Sequence, residues 1–360
     1  MERVFNFSAG PAAIDESVLA KAAADLVCFP GRGMSVLEMS HRSGMYLDIY
    51  NAAVALFREV MGVPENYEVL FLQGGATMEF SAVPLNLLGA GQVAEYIDTG
   101  NFAHIAAQEA GKYGQVNVIA SSREANYTYI PDMKQLTVSP EAAYLYITTN
   151  NTIYGTRYIE LPDTGAVPLV ADASSNILSE PMDVSRCGVL FAGTQKNIGP
   201  AGMAIVLVRK DLLGHPSPLC PKVVDWTVQA KNDSMINTPN TFAIYMIQLV
   251  CEWMKARGGV PAFYEVNQAK AKLLYDYLDQ SKLFHNPVQP KYRSLMNVTF
   301  LTGDEAKDDA FVKDCAKNGL VNLKGHRNVG GMRASIYNAM PIEGVRKLVD
   351  RMAAFEKENG

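Results

Sequence analysis

An acid and an amine carry the strongest chemical signal in this chain. Asp172 follows the apolar run 167–171, and Lys196 lies within Leu190-Phe-Ala-Gly-Thr-Gln-Lys196-Asn-Ile-Gly-Pro200. A lysine at the end of a buried strand, surrounded by Gly, Thr and Pro rather than by charge, is dehydrated. Dehydration lowers its pKa and suits it to Schiff-base chemistry. One cofactor uses both groups. Pyridoxal phosphate takes a lysine on its aldehyde carbon and an aspartate at its ring nitrogen, where the carboxylate keeps the nitrogen protonated so that the ring accepts electrons. Each residue alone also has a plain structural reading, because strand-end aspartates and glycine-flanked lysines are common in α/β sheets.

Candidate anion sites come next. Leu70-Phe-Leu72 runs into Gln73-Gly-Gly-Ala-Thr77 and then a helical pattern. Glycine-freed amides at a helix N-terminus form an anion cradle, and a ligand-free tight turn is the equal alternative. No Gly-Lys-Ser/Thr follows, so the loop is not a Walker loop, and no dinucleotide fingerprint is complete. Two basic clusters stand out, Ser40-His41-Arg42-Ser43 and the run from Lys324-Gly-His326-Arg327 to Arg333. Arginine forks match carboxylate and phosphate oxygens. Exposed basic residues more often simply solvate a surface. Arg333 resists that reading, since it falls on a predicted strand between Met332 and Ala334. The five histidines are scattered singly, without metal-ligand spacing.

The elements that must position these groups alternate. Candidate strands at 68–72, 93–98, 116–119, 143–148, 167–171 and 189–192 are mostly separated by helical or loop segments, and another strand follows at 204–208. Short, nearly continuous apolar strands with intervening helices predict an α/β fold, its mainly parallel central sheet covered on both faces. Ligands then bind at the strands' carboxyl ends, where Asp172 and Lys196 fall. Asp15 is placed to cap a helix to about Val27, and the spacing of Leu47, Tyr50, Val54, Phe57 and Met61 predicts a second. After an irregular stretch 215–239, Thr238-Pro239 reads as a helix start running to about Ala256. Helices to about Gln280, near 308–317 and from Glu343, with strands near 296–300 and 332–336, predict a smaller α+β part. The expected division is a large cofactor-binding domain, 14–256, and a small domain of 1–13 with 257–360.

Bulk properties are those of an ordinary soluble globular protein. The chain has 360 residues, 48% hydrophobic and 19% charged, with a formal net charge of -5. That balance gives no electrostatic reason to expect nucleic acid or a membrane surface as a partner. Five cysteines in no close pairing suggest neither a disulfide framework nor a metal knuckle. The N-terminal residues lack a basic-then-apolar signal pattern, so cytoplasm is the expected compartment.

Taken together, these segments resemble the phosphoserine aminotransferases, a family in the class V branch of the fold-type-I pyridoxal-phosphate enzymes. The resemblance covers essentially the whole chain. It rests on Asn6-Phe-Ser-Ala-Gly-Pro11, Ser40-His41-Arg42, Gln73-Gly-Gly-Ala76, Ala82-Val-Pro-Leu-Asn86, Gln195-Lys196-Asn-Ile-Gly-Pro200 and the run from Lys324 to Pro341. It implies Lys196 as the Schiff-base lysine, Asp172 at the pyridine nitrogen and Thr152 at the ring oxygen. Gln195 and the backbone of Gly75, Ala76 and Thr77 would hold the cofactor phosphate, with Asn237 and Thr238 reaching it from the other subunit of a homodimer. Arg42 and Arg333 would bind the substrate carboxylate, and His41, His326 and Arg327 the substrate phosphate. Three departures accompany it: Phe102 stands where the family usually stacks a Trp, Thr77 where some members have Arg, and Ala9 where others have a small hydroxyl residue. The implied reaction interconverts 3-phosphohydroxypyruvate and glutamate with O-phospho-L-serine and 2-oxoglutarate. The related phosphorylated threonine precursor of vitamin B6 is a second candidate substrate. Another class V transaminase or lyase, of alanine–glyoxylate type, is the alternative, and it would need no substrate-phosphate pocket. A haloacid-dehalogenase-like phosphatase is disfavoured because no Asp-x-Asp pair lies near Asp172, and a non-catalytic binding protein because Lys196, Asp172 and Arg333 are all present.

Overall fold

The computed structural model describes residues 3–359; Met1, Glu2 and Gly360, assigned above to the small domain, lie outside them. A short strand β1 (Phe5–Asn6) precedes helices α1 (Glu16–Asp25) and α2 (Gly44–Met61). Asp15 does cap α1, accepting the Ser17 amide, and α2 runs from a Ser43 cap to a left-handed Gly62. The alternating part follows: β2 (Tyr67–Gln73), α3 (Gly75–Leu87), β3 (Val93–Asp98), α4 (Asn101–Ala110), β4 (Gln115–Ser121), β5 (Ala142–Thr148), β6 (Leu169–Asp172), β7 (Val189–Gly193) and β8 (Met203–Arg209). Then come α5 (Trp226–Lys231), α6 (Thr241–Ala256), α7 (Gly259–Leu278), β9 (Asn297–Phe300), α8 (Glu305–Lys317), β10 (Leu320–Val321), β11 (Met332–Ser335) and α9 (Ile342–Asn359). Among the described residues no helix is long and apolar enough to cross a membrane.

The central sheet has seven strands in the order β2-β8-β7-β6-β5-β3-β4. Six run parallel to one another; β8 is antiparallel to both its neighbours, β2 and β7. The cause is the link 194–202, which carries Lys196 and is shorter than the dozen or so residues a parallel crossover needs. Lys196 therefore sits in a tight return at the carboxyl end of β7.

Some boundaries differ from expectation for local reasons. Strand β6 begins at Leu169 because Val167 donates to Thr164 in a turn and Pro168 has no N–H to give. Asp172 is the last ladder residue, paired with Thr148 and Phe191, rather than the residue after the strand. The cap of α6 is Asn240, whose side chain accepts the Ala243 amide at 3.0 Å, and not Thr238. The stretch read as irregular holds α5, where Asp225 accepts two amides and Trp226 is fully buried.

Three apolar cores result. Two lie on the faces of the central sheet, one against α1, α2 and α6 and the other against α3 and α4. The third joins Phe7 to residues of α7, β9, α8, β11 and α9. Buried polar contacts tie it to the sheet. Asn150 donates to Ser175 and to Asn297; Asn297 donates to Ser335 and Tyr337, and Tyr337 donates to the Ala9 carbonyl at 2.9 Å. Lys270 on α7 is fully buried and donates to the carbonyls of Ile336, Tyr337 and Met340 at 2.8–3.0 Å, fixing the turn after β11. Such groups persist in a core only when their hydrogen bonds are made.

Candidate active site

The carboxyl ends of β2, β3, β5, β6 and β7 converge on a cavity of about 250 Å³. Each strand delivers a group. The turn after β2 has Gly74 and Gly75 at φ of 101° and 66°, a left-handed pair that starts α3 and brings Ala76 and Thr77 to the wall. The segment after β3 opens α4 with Asn101 and Phe102; that after β5 gives Thr152 and Ile153; β6 gives Asp172 and Ser174; the return after β7 gives Gln195 and Lys196. From the C-terminal part, β11 and the loop before it add Arg333 and His326, and the N-terminal arm adds Ala9 and Gly10.

Lys196 Nζ donates to Thr152 Oγ1 at 2.7 Å and stands 5.5 Å from the centre of the Phe102 ring. Burial, with a smaller push from the Arg333 charge, brings its pKa down to about 8, while Asp172 pulls the other way. The amine is thus deprotonated far more readily than an ordinary lysine. Asp172 is 4% exposed, and its Oδ1 accepts the Ser174 amide at 2.9 Å and the Ser174 hydroxyl at 2.6 Å. Burial raises its pKa, opposed first by the Ser174 hydroxyl and then by the Lys196 charge. Arg333 donates to the Thr152 carbonyl at 3.2 Å, so Thr152 touches both basic residues, and burial lowers the Arg333 pKa. His326 is also pulled down, by burial and then by Arg333 and Arg327, and its Nδ1 accepts the Asn328 amide.

The expected site residues divide into two groups. Ala76, Thr77, Phe102, Thr152, Asp172, Gln195, Lys196, His326 and Arg333 meet in the cavity, and Gly75 directly precedes Ala76 at the start of α3 without lining it. His41, Arg42, Asn237, Thr238 and Arg327 do not line it. Arg42, Asn237, Thr238 and Arg327 are exposed, Thr238 beside Gln73, which donates to its carbonyl, and His41 is half-buried ahead of α2 with an unpartnered Nε2. Ser174 and Asn101 were not anticipated. The signal for Ser174 was present: a serine two residues after an acid can return both its amide and its hydroxyl to that carboxylate.

The cavity fits pyridoxal phosphate on its own chemistry. It joins one activated amine to one buried carboxylate, beside an aromatic face and a helix start. Gln195 Oε1 is buried without a partner, and glycines at 193 and 10 leave its side chain room, since a Cβ there would come within 2.7 and 3.2 Å of it. Before cofactor is added, the Lys196 amine should react with formaldehyde and borohydride half-maximally near pH 8, while ordinary lysines still climb towards 10.5. Between those values the unfolded chain holds more protons, so this group's contribution to stability rises with pH across that window. Labelling of Lys196 read by mass spectrometry against pH checks this; a midpoint near 10 removes the argument for an activated amine.

A mostly parallel α/β sheet with an amine, an acid and a helix start at its carboxyl edge is the architecture of pyridoxal-phosphate-dependent aminotransferases, and the chain belongs to the aminotransferase class-V family, whose model matches residues 4–348. Within that family it is similar to phosphoserine aminotransferase of Listeria innocua, 54% identical over 357 residues and covering 99% of this chain and 97% of the relative. Phosphoserine aminotransferase from Bacillus circulans subsp. alkalophilus has a solved structure that matches with a TM-score of 0.98 at 43% identity, over 100% of both chains. The PLP-bound phosphoserine aminotransferase from Trichomonas vaginalis matches at 0.93 and 39%, over 98% of this chain and 100% of that one.

Proposed function

We propose that this protein transfers an amino group between L-glutamate and 3-phosphohydroxypyruvate, giving 2-oxoglutarate and O-phospho-L-serine in serine biosynthesis. The observation that carries the reading is one cavity holding Lys196, Asp172 and a basic wall of Arg333 and His326. Full-length likeness to relatives named phosphoserine aminotransferase supports the same substrate. Pyridoxal phosphate supplies an aldehyde that takes the substrate amine and a ring that accepts the electron pair left when the Cα proton departs.

The chain's own groups do the rest. Lys196, with its lowered pKa, would hold the cofactor by its aldehyde carbon and serve as the base for the substrate Cα proton. Asp172 would keep the ring nitrogen protonated, and Thr152 would hold the ring oxygen. Phe102 would cover the ring face and exclude water from it. Gln195 and the amides of Gly75, Ala76 and Thr77 would hold the cofactor phosphate at the α3 N-terminus, where the helix dipole favours negative charge. Arg333 would take the carboxylate that both substrates share and His326 a second, phosphate anion; Arg327, exposed beside His326 and outside the cavity lining, would join it there. Two successive half-reactions in one cavity give ping-pong kinetics.

His41, Arg42, Asn237 and Thr238 serve the site only if a second copy presents them, and a homodimer with sites at the subunit interface is part of this proposal. So are acceptance of 4-phosphohydroxythreonine in pyridoxine biosynthesis and a cytoplasmic location, consistent with five free thiols. The division into 14–256 and 1–13 with 257–360 is supported by the third core, which draws on both chain ends.

The test is the visible absorption of the cofactor-loaded protein before and after O-phospho-L-serine, with L-alanine as control. The expected result is bleaching with phosphoserine and not with alanine. Bleaching by alanine at comparable concentration transfers the assignment to an alanine–glyoxylate type enzyme. No visible band after loading removes Lys196 from its role.

A further inference from the structure

The cavity holds one buried group to which the reading above gives no task. Ser174 is 6% exposed and lies two residues after Asp172, in the segment that follows β6. Its hydroxyl donates to Asp172 Oδ1 at 2.6 Å, and its amide donates to the same oxygen at 2.9 Å. The hydroxyl oxygen in turn accepts the Gly193 amide at 3.0 Å. Gly193 closes β7, two residues before Gln195 and three before Lys196, so a contact from the lysine's own strand ends on the aspartate's neighbour.

Donor and acceptor counting gives this triangle a direction. A hydroxyl has one proton and two lone pairs, an amide can only donate, and an ionised carboxylate can only accept. With Gly193 N–H already pointing at Ser174 Oγ, the serine proton goes to Asp172. Were Asp172 protonated on Oδ1, that proton would face the Ser174 amide hydrogen as well as the hydroxyl. The arrangement therefore confines any proton to Oδ2, and because both bonds are stronger to a charged acceptor it favours the carboxylate form, against a burial that favours the neutral acid. Of the influences that oppose burial at Asp172, the Ser174 hydroxyl is the largest. A Cβ at Gly193 would come within 2.7 Å of Gln195 Oε1, so a side chain there would displace the Gln195 amide.

We propose that Ser174 is a positioning residue for the transamination: held by the Gly193 amide, it keeps Asp172 ionised and oriented as the counter-ion of the cofactor. This rests on the assignment of Asp172 to the ring nitrogen of pyridoxal phosphate.

The experiment loads the parent protein and the variants Ser174→Ala, Ser174→Thr and Ser174→Val with pyridoxal phosphate labelled with nitrogen-15 in the ring. Two quantities are read, the nitrogen chemical shift and the cofactor dissociation constant by equilibrium dialysis. Thr and Val have the same shape and differ in the hydroxyl, so their comparison separates a hydrogen-bond role from packing even if the alanine variant folds poorly. Expected are about tenfold or greater loss of cofactor affinity in Ser174→Ala and Ser174→Val, the scale of one hydrogen bond to a charged group. In both, the nitrogen signal moves towards that of neutral pyridine, because a carboxylate deprived of its donor draws the proton to itself. Ser174→Thr stays near the parent in both readings. Equal behaviour of the Thr and Val variants, or an unchanged nitrogen shift in all three, overturns the role of Ser174 and leaves the cofactor site standing. A parent protein that binds no pyridoxal phosphate, or holds it with a neutral ring nitrogen, overturns the cofactor assignment and the inference with it.

Discussion

Lys196→Ala leaves a folded protein whose transamination rate is lower by roughly 10³-fold or more, the scale expected when a positioned general base is removed. The cavity offers no substitute. Arg333 keeps a guanidinium that does not give up its proton at neutral pH. Asp172 is bonded to Ser174, and the Nδ1 of His326 accepts the Asn328 amide. Lys196 is the only amine among the described residues lining the cavity. The fold should survive, because a half-buried cation with a lowered pKa is held against its preference and its removal relieves that cost. Steady-state rates with phosphoserine and 2-oxoglutarate, beside circular dichroism, decide the matter. Added small amines that restore part of the rate would mark the lost group as a proton carrier, and a variant within tenfold of the parent would remove Lys196 from the chemistry.

Asp172→Asn should cost about 10²–10⁴-fold in activity, corresponding to the roughly 3–5 kcal/mol lost when one partner of a buried ion pair is neutralised. The substitution is nearly isosteric and keeps an oxygen for the Ser174 amide and hydroxyl, so it isolates charge from shape. Since burial already raises the Asp172 pKa, the neutral amide suits the apolar surroundings and the melting temperature should hold or rise. A melting temperature that falls by many degrees would show the carboxylate to be a structural brace, and rates near those of the parent would dissociate it from the cofactor.

The sequence made the framework legible because buried parallel strands are short, apolar and bounded by turn residues. Positions 93–98 and 189–192 needed almost no adjustment, whereas Pro168 shortened β6 by a chain-specific hydrogen-bond argument. The six-residue helix α5 escaped notice since one and a half turns leave no periodicity to read. Helix α6 starts two residues beyond Thr238 because the Asn240 side chain accepts the Ala243 amide, and asparagine caps a helix at least as well as threonine.

The same logic divides the site. Lys196 and Asp172 were legible from their own neighbourhoods, as residues at the ends of apolar strands. That Arg333 and His326 share a cavity with them is a matter of long-range packing, for which the sequence offered only the family resemblance. The direction of the Ser174 hydroxyl depended on the Gly193 amide from another strand, which no local pattern contains.

One feature of the third core bears on how the chain comes into being. Phe5 and Asn6 pair with Leu320 and Val321, and Phe7 is buried among residues from 271 to 355. On the ribosome the arm must therefore wait for nearly the whole chain before it has anything to pair with. At roughly 5–20 residues per second that interval is about 15–60 s. During it, the central sheet can assemble from its own consecutive strands while Ala9 and Gly10, which close one side of the cavity, remain unplaced. Competence to bind cofactor would then be among the last properties a nascent chain acquires, which keeps a reactive amine from being enclosed with its aldehyde before the polypeptide is finished.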